Sequence, residues 1–226
     1  MKMKRTLRLT ELCGELEACR LFADVGCDHG YCTQYMLEND LCRCAQISDI
    51  SAKSLQKAEA LLSAYINAGR VRAVVCAGLE KIDPNTDLVL IAGMGGEEIV
   101  GILRDGFLPP KVVLQPMKNS DKVRRFLLQE GYGILRDNTF FADGKFYDLI
   151  RAVRGSACGT YTADMIMFGR DNLLNPREDF RKKLERDIAQ HAAWMENARE
   201  GREEIVRRLS KLKEIYDETC RRLSSN

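Results

Sequence analysis

The 226-residue sequence has little of what metal sites and disulfide frameworks require. It contains only two histidines, His29 and His191, which lie in distant parts of the chain. Its nine cysteines are scattered and include no C-x-x-C pair. A zinc site needs about four such ligands, so we expect no metal. An odd, dispersed set of cysteines indicates free thiols in a reducing compartment.

Long apolar runs, a signal-like N-terminus and a strong charge of one sign are also absent. No run approaches the roughly 20 apolar residues that span a bilayer, so we expect a cytoplasmic protein with no membrane partner. The 35 basic and 33 acidic residues leave a formal net charge of +2. Any RNA-binding surface must therefore be a local patch. A hydrophobic content of 45% is ample for one medium domain with an appendage.

The most informative segment that is present runs Ala-Asp-Val-Gly-Cys-Asp-His-Gly-Tyr over residues 23–31. Residues 21–25 have the length and apolar character of a buried strand. Gly26 and Gly30 permit a turn and a close approach to a ligand, and residues 31–38 follow as a predicted helix. This order is typical of the nucleotide-binding half of an α/β sheet, although a tight turn without a ligand has the same pattern.

Two acidic residues, Asp28 and Asp49, indicate which class of ligand this loop binds. A dinucleotide-binding loop would place glycine where Asp28 stands, and a carboxylate there repels a pyrophosphate, which disfavours a dehydrogenase. Asp28 instead suits a cationic ligand such as S-adenosylmethionine, which has an ammonium and a sulfonium. Asp49 follows a second apolar segment at the roughly 20-residue offset of a ribose-binding acid. The alternative, that Asp49 only starts the helix capped by Ser51, is compatible with this role.

The remaining pattern predicts an α/β fold of the Rossmann-like class I methyltransferase type over residues 1–155. Three further strands at 71–75, 88–91 and 112–114 alternate with helices, and residues 134–141 and 146–153 form an antiparallel hairpin at the sheet edge. Residues 156–226 are predicted to form a C-terminal antiparallel coiled-coil hairpin, because apolar residues recur at helical spacing from Phe180 to Ala198 and from Ile205 to Leu223. His191 falls on the first stripe and is expected at the seam.

Other segments indicate a base pocket and phosphate contacts. The glycine-rich segment at residues 91–96 leaves open backbone for a planar ring, and Gln115 and Pro116 end the neighbouring strand. A basic run after that strand and the hairpin tip, where aromatic residues are adjacent, are candidate phosphate contacts: Lys118, Lys122, Arg124, Arg125, Lys145 and Tyr147. The alternative is a solvated helix face. In the tail, residues 181–183 and 207–208 are further local candidates.

These motifs together resemble the bacterial tRNA (adenine-22-N1)-methyltransferase family along essentially the whole chain. The resemblance lies in residues 24–31, 91–96 (Ile-Ala-Gly-Met-Gly-Gly), 114–116 (Leu-Gln-Pro) and 143–147 (Asp-Gly-Lys-x-Tyr). It implies an S-adenosylmethionine-dependent enzyme that methylates N1 of an adenine in the D-loop region of tRNA. The coiled coil binds either tRNA or a second protomer in this interpretation, and a monomer is favoured.

The residue patterns and the resemblance together give three sets of predicted site residues. The predicted catalytic residues are Asp28, Met94 and Gly95. The predicted cofactor-binding residues are Asp24, Gly26, Cys27, Asp28, His29, Gly30, Tyr31, Asp49, Ile50, Ala77, Gly78, Ala92, Gly93 and Met94. The predicted substrate-binding residues are Gly95, Gly96, Gln115, Pro116, Lys118, Arg124, Arg125, Lys145 and Tyr147.

The sequence departs from the family at Ala77, where members commonly have an acid that binds the adenine of the cofactor. Backbone groups or a neighbour such as Glu80 must then substitute. Two other functions remain open: a methyltransferase for another RNA or a protein, and a non-catalytic RNA-binding module. Neutral adenine already has a lone pair on N1, so positioning rather than a general base is expected to provide most of the rate enhancement.

Overall fold

The computed structural model describes residues 6–157, 159–197 and 201–225. Cys158 and Ala198, one of the nine cysteines and one member of the first helical stripe, lie outside these residues. The other eight cysteines are free thiols.

A seven-stranded sheet forms the centre of the fold, in the order β3-β2-β1-β4-β5-β7-β6. The first five strands are parallel, and the last two form an antiparallel hairpin that pairs with β5 through β7. The predicted α/β fold with an antiparallel edge is therefore confirmed. The strands are β1 (Cys19–Val25), β2 (Cys42–Asp49), β3 (Val71–Val75), β4 (Leu88–Met94), β5 (Lys111–Pro116), β6 (Tyr132–Ala142) and β7 (Lys145–Arg154).

Helices cover both faces of the sheet and form the C-terminal appendage. They are α1 (Leu7–Gly14), α2 (Tyr31–Glu38), α3 (Ala52–Leu61), α4 (Ser63–Asn67), α5 (Gly96–Asp105), α6 (Ser120–Gln129), α7 (Ala163–Phe168), α8 (Arg170–Leu174), α9 (Glu178–Asn197) and α10 (Arg202–Ser224). In the described ranges, no helix combines the length and the apolar character needed to cross a bilayer.

The sheet is buried on both faces at its centre, which explains the uninterrupted apolar runs of its strands. Phe22, Val89 and Ile91 are completely inaccessible to solvent and belong to two hydrophobic clusters, one on each side of the sheet. The hairpin turn consists of Asp143 and Gly144, both with positive φ (49° and 77°). A two-residue turn with positive φ at both positions matches strand twist, so the predicted turn at this place is confirmed.

Two helical features differ from the sequence prediction. The helix capped by Ser51 divides into α3 and α4 at Leu62, whose buried side chain lies next to Gly30. The short helices α7 and α8 were not predicted, since each is too brief to show a helical repeat.

The two long tail helices pack against each other as predicted. Their buried residues form one cluster with α7, namely Phe168, Phe180, Leu184, Leu212 and Ile215. His191 lies half-buried, with its Nδ1 2.7 Å from the carbonyl oxygen of Asp187 and its ring against Trp194. Each apolar stripe thus covers the other, which accounts for a stable hairpin.

The appendage is fixed to the sheet along the outer edge of β6. The backbone N–H groups of Asp137, Thr139 and Phe141 donate to side-chain oxygens of Asp171 (2.8 Å), Asn172 (2.8 Å) and Asp179 (3.0 Å) respectively. Alternate residues of a strand present their N–H groups to the same side, so these three bonds replace a missing neighbouring strand. The helical part is therefore docked on the sheet, while the predicted boundary at residue 155 stays a prediction.

Candidate functional site

A cavity of about 730 Å³ lies at the C-terminal ends of β1, β2 and β4. This is the edge where open α/β sheets bind ligands. Its wall includes most of the predicted cofactor residues and one predicted substrate residue: Asp24, Gly26, Cys27, Asp28, His29, Tyr31, Asp49, Ile50, Ala77, Gly78, Ala92, Gly93, Met94 and Tyr147. The structure thus gathers four segments that are far apart in sequence around one space.

The loop after β1 packs against the end of the Met94 side chain at Gly26. Gly26 has φ of 71°, and a Cβ atom there would lie 2.1 Å from the Cε of Met94. The N–H groups of Gly26 and Cys27 donate to the Ser48 carbonyl oxygen, which fixes the loop to β2. Gly30, by contrast, does not line the cavity and is required for packing, since its Cβ would lie 3.0 Å from Ala58.

Asp24 is the buried acid of the site. Its Oδ2 accepts a hydrogen bond from the Thr33 hydroxyl at 2.9 Å, and only 5% of the residue is exposed. Burial raises the pKa of the Asp24 carboxyl from 3.8 to about 6, against the lowering effect of the Thr33 hydrogen bonds. Burial disfavours the charged form of this carboxyl group, and a bound cation stabilises that form, so Asp24 is well suited to bind a cation.

Asp28 and Asp49 form the more exposed acidic side of the cavity. Asp28 has a left-handed φ of 44° and its carboxylate contacts Lys57 (3.2 Å) and His29 (3.5 Å). Asp49 lies at the end of β2, and its Oδ1 accepts from the Ser51 N–H at 2.8 Å. Its Oδ2 accepts a hydrogen bond from the Asp28 N–H at 3.4 Å, so Asp49 joins the loop after β1 to the start of α3, while its ribose-binding role stays a prediction.

The Cys27 thiol lies between these acids. Burial, and then the nearby Asp24 and Asp49, raise its pKa, so the thiol stays protonated at neutral pH. Cys27 therefore adds a neutral, weakly polar surface and no nucleophile.

Arg8 is a charged residue of the cavity wall that the sequence analysis did not predict. It lies on α1 and reaches the cavity, where its Nε donates to Gln115 Oε1 at 2.9 Å and its guanidinium lies 5.3 Å from the centre of the Tyr147 ring. Among the described residues of the wall, Arg8 is the only arginine or lysine. No local spacing signals this contact, because Arg8 and Gln115 are 107 residues apart in sequence.

The glycine-rich segment at the end of β4 divides into two parts. Ala92, Gly93 and Met94 line the cavity, whereas Gly95 and Gly96 are outside its wall. Gly96 is buried, and a Cβ there would lie 2.2 Å from the backbone oxygen of Asn119. Its role is thus to let the β4–α5 loop pack on the β5–α6 loop, and the expected base contact at Gly96 is not supported.

The basic run after β5 does not act as one surface. The expectation for Arg124 is wrong: its side chain is buried, and its Nε donates to both Asp137 oxygens at 2.8 and 3.0 Å. Lys122 pairs with Glu97 on the neighbouring helix. Lys118, Arg125 and Lys145 are exposed, and Lys118 and Pro116 line a second cavity next to the first.

The structure also shows the surroundings of Ala77, where family members commonly have an acid. Ala77 lines the cavity, but Glu80, the expected substitute, is not part of the wall. Glu98, in the first turn of α5, lines the cavity together with Gly78 and Ile102. Within residues that the structure describes, no group of three His, Cys, Asp or Glu side chains is assembled as metal ligands.

Comparison with known proteins agrees with this geometry. The tRNA (adenine(22)-N(1))-methyltransferase of Bacillus subtilis is 26% identical over 237 residues, which cover 96% of this chain and 98% of that protein. The structure of M. capricolum TrmK in complex with S-adenosyl-homocysteine has a TM-score of 0.87 and 22% identity, covering 96% of this chain and 100% of that one.

A more distant structure covers a smaller share of the chain. The ribosomal protein L11 methylase of Lactobacillus delbrueckii has a TM-score of 0.52 and 15% identity over 69% of this chain and 81% of that one. The model of the family described as "Methyltransferase domain" matches residues 5–150, the segment that contains the sheet and the large cavity. This match spans well over half of the sequence, and the chain belongs to the methyltransferase domain family.

Proposed function

We propose that the protein methylates N1 of adenine 22 in tRNA, with S-adenosylmethionine as the methyl donor. The observation that carries the proposal is the set of charges in the wall of the large cavity, which combines the acids Asp24, Asp28 and Asp49 with Arg8. The end-to-end similarity to the B. subtilis enzyme supports the choice of substrate and position.

The residues present fit this cofactor. Its amino-acid end has an ammonium and a carboxylate, for which the wall offers Asp24 and Arg8 respectively. Asp49 is available for ribose hydroxyls. The backbone at Ala77 and Gly78, with Glu98 in place of the family's acid, is available for the adenine. Gly26 has no Cβ, and the end of the flexible Met94 side chain lies beside its Cα.

When bound, S-adenosylmethionine supplies an electrophilic methyl group on a positively charged sulfur. The chain's own task is to hold an adenine with its N1 lone pair directed at that methyl group. Since neutral N1 needs no deprotonation, orientation accounts for most of the rate enhancement. N1 lies on the Watson–Crick edge, so the base must be unpaired or flipped, at a cost of a few kcal/mol.

Tyr147 and Gln115 support such a base pocket. Tyr147 lies in the wall next to Arg8, and Gln115 holds Arg8 while its Nε2 lies 3.2 Å from Met117 Sδ. Backbone carbonyls of residues 92–95, or the Asp28 carboxylate, accept from the adenine N6 amine in this proposal. Because Lys57 partly neutralises Asp28, the backbone carbonyls are the better candidates.

The proposal also covers location and assembly. The protein acts as a cytoplasmic monomer in this proposal, and the packing of α9 against α10 buries apolar residues of both helices within one chain. Exposed Lys118, Arg125 and Lys145 are retained as candidate RNA contacts.

Incubation with labelled S-adenosylmethionine and total bacterial tRNA, followed by nucleoside mapping, tests the proposal. We expect 1-methyladenosine in tRNA. Transfer only to protein or to another RNA would support the second function that the sequence left open. Absence of both transfer and S-adenosylhomocysteine binding in calorimetry would support the non-catalytic module.

A further inference from the structure

A second cavity, of about 290 Å³, lies where the methyltransferase domain meets the helical appendage. Four basic residues line it: Lys118 from the loop after β5, Lys183 and Arg186 from α9, and Arg208 from α10. The packing of α9 on α10 brings three of these charges together, and the docking of the appendage on β6 adds Lys118.

Four basic side chains stand against three carboxylates around this cavity, which leaves a small excess of positive charge. Lys183 and Arg186 share one carboxylate, that of Asp187, at 2.7 and 3.0 Å. Within the described ranges, Lys118 and Arg208 form no ion pair. The two acids that line the cavity are Asp121 and Asp148. Asp148 accepts a hydrogen bond from the Thr139 hydroxyl at 2.6 Å and lies 3.8 Å from Arg124.

Arg124 lies behind Asp148 and forms its main ion pair with Asp137. It is buried, and its Nη2 has no hydrogen-bond partner among the residues that the structure describes. The cavity therefore has a basic rim and a back wall in which one carboxylate is already paired with a buried guanidinium. Such a site favours an anion with several acceptor oxygens.

Aromatic rings hold two of the cations in place. The Arg186 guanidinium lies 4.7 Å from the centre of the Phe146 ring, and the Arg208 guanidinium lies 5.2 Å from that of Phe168. Ring contacts of this kind restrict long side chains before a ligand arrives, which lowers the entropic cost of binding.

The cavity is also next to the large one. Its wall starts at Pro116, one residue after the Gln115 side chain that holds Arg8. The two loops are joined by hydrogen bonds from the Met117 N–H to the Met94 oxygen and from the Gly96 N–H to the Lys118 oxygen, both 2.8 Å. A group bound in the second cavity therefore lies beside the backbone that presents the target base.

We propose that this second cavity binds backbone phosphate of the RNA substrate, and that it does so with residues of both domains. The inference rests on the proposed RNA methylation and gives the helical appendage a part in holding the nucleic acid. It also distinguishes neighbouring basic residues: Lys183 and Arg208 line the cavity, whereas Lys182 and Arg207 do not.

This difference provides matched variants. The double variant Lys183→Gln/Arg208→Gln removes two cavity charges, and Lys182→Gln/Arg207→Gln removes two adjacent surface charges. Binding of fluorescent tRNA is measured from 50 to 250 mM salt. The cavity variant should bind about tenfold more weakly at low salt, with the slope of log K against log salt reduced by roughly 1.4 to 1.8. The control should change affinity less than about twofold.

S-adenosylhomocysteine affinity and the free energy of unfolding, measured on the same proteins, separate loss of the site from loss of the fold. Should the cavity variant be unstable, Lys118→Gln, on an exposed loop, is expected to weaken tRNA binding by itself. Equal effects of the two double variants, or no effect of the cavity variants, would overturn the inference. Failure of the wild-type protein to bind tRNA would overturn the proposed function instead.

Discussion

Asn172 pairs with Thr139 through two hydrogen bonds, much as a neighbouring strand would. The Thr139 backbone N–H donates to Asn172 Oδ1 at 2.8 Å, and Asn172 Nδ2 donates to Thr139 Oγ1 at 2.8 Å. Both residues are buried. The bonds satisfy a strand edge that would otherwise be open to pairing with another chain.

Replacing Asn172 with alanine should therefore loosen this edge. The Thr139 N–H loses its partner in a buried site, which costs about 1 to 3 kcal/mol. We expect faster hydrogen exchange at the Thr139 amide and a lower free energy of unfolding in urea. Asn175→Ala, at an exposed position just beyond α8, is the control and should change neither; comparable losses in the two variants would contradict the role of Asn172.

The ionised Asp24 carboxylate should lower the free energy of unfolding, although it supports binding of the cofactor. Its pKa is raised from 3.8 to about 6, so between these pH values the native protein keeps a proton that the unfolded chain has lost. Its contribution to the free energy of unfolding consequently falls as pH rises through this range, and it stays unfavourable above pH 6. Asp24→Asn should then be more stable at pH 7, by roughly 2 to 3 kcal/mol, with the difference disappearing near pH 3.

The same variant should bind S-adenosylhomocysteine much more weakly, because the amide cannot pair with an ammonium. Urea unfolding at several pH values and calorimetry together check this prediction. A variant that is both less stable at pH 7 and normal in binding would refute the assignment of Asp24 on both counts.

Two glycines of one helix should respond in opposite directions to the same substitution. Gly96→Ala places a Cβ within 2.2 Å of the Asn119 backbone oxygen, and such overpacking costs about 1 to 3 kcal/mol. Gly101→Ala meets nothing within 4 Å and should stabilise α5 by about 0.5 to 1 kcal/mol. Thermal unfolding of both variants gives the comparison, and a neutral Gly96→Ala would refute the packing role of Gly96.

The role of Arg8 can be tested with truncated ligands. Arg8→Met should weaken binding of S-adenosylhomocysteine about tenfold to hundredfold, the range expected for a charge-assisted hydrogen bond. It should leave binding of methylthioadenosine, which lacks the amino-acid end, unchanged. Calorimetry with the two compounds measures both. If both affinities fall equally, Arg8 shapes the pocket and does not recognise the carboxylate.

Local signals made most of the cofactor side predictable. The strand, the loop with Gly26 and the acid at Asp49 each follow from residues within a few positions of one another, and the hairpin turn at Asp143 follows from its composition. Arg8 was not predictable, because its contact with Gln115 depends on the tertiary fold.

The sequence contained an indication that Arg124 is buried, but the charge of this residue favoured the opposite prediction. Helical spacing places it on the same face as buried Val123 and Leu127, yet its charge suggested a surface role. Its partner, Asp137, belongs to a strand whose edge is covered by helices too short to show a repeat. The burial of Arg124 therefore depended on elements that the sequence pattern did not reveal.

The most direct test of the proposed function uses two tRNA transcripts that differ only at position 22, one with adenine and one with guanine. Each is incubated with the protein and S-adenosylmethionine, and 1-methyladenosine is located by mass spectrometry. The proposed function predicts 1-methyladenosine at position 22 of the first transcript and none in the second. Equal methylation of both transcripts, or none in either, would contradict it.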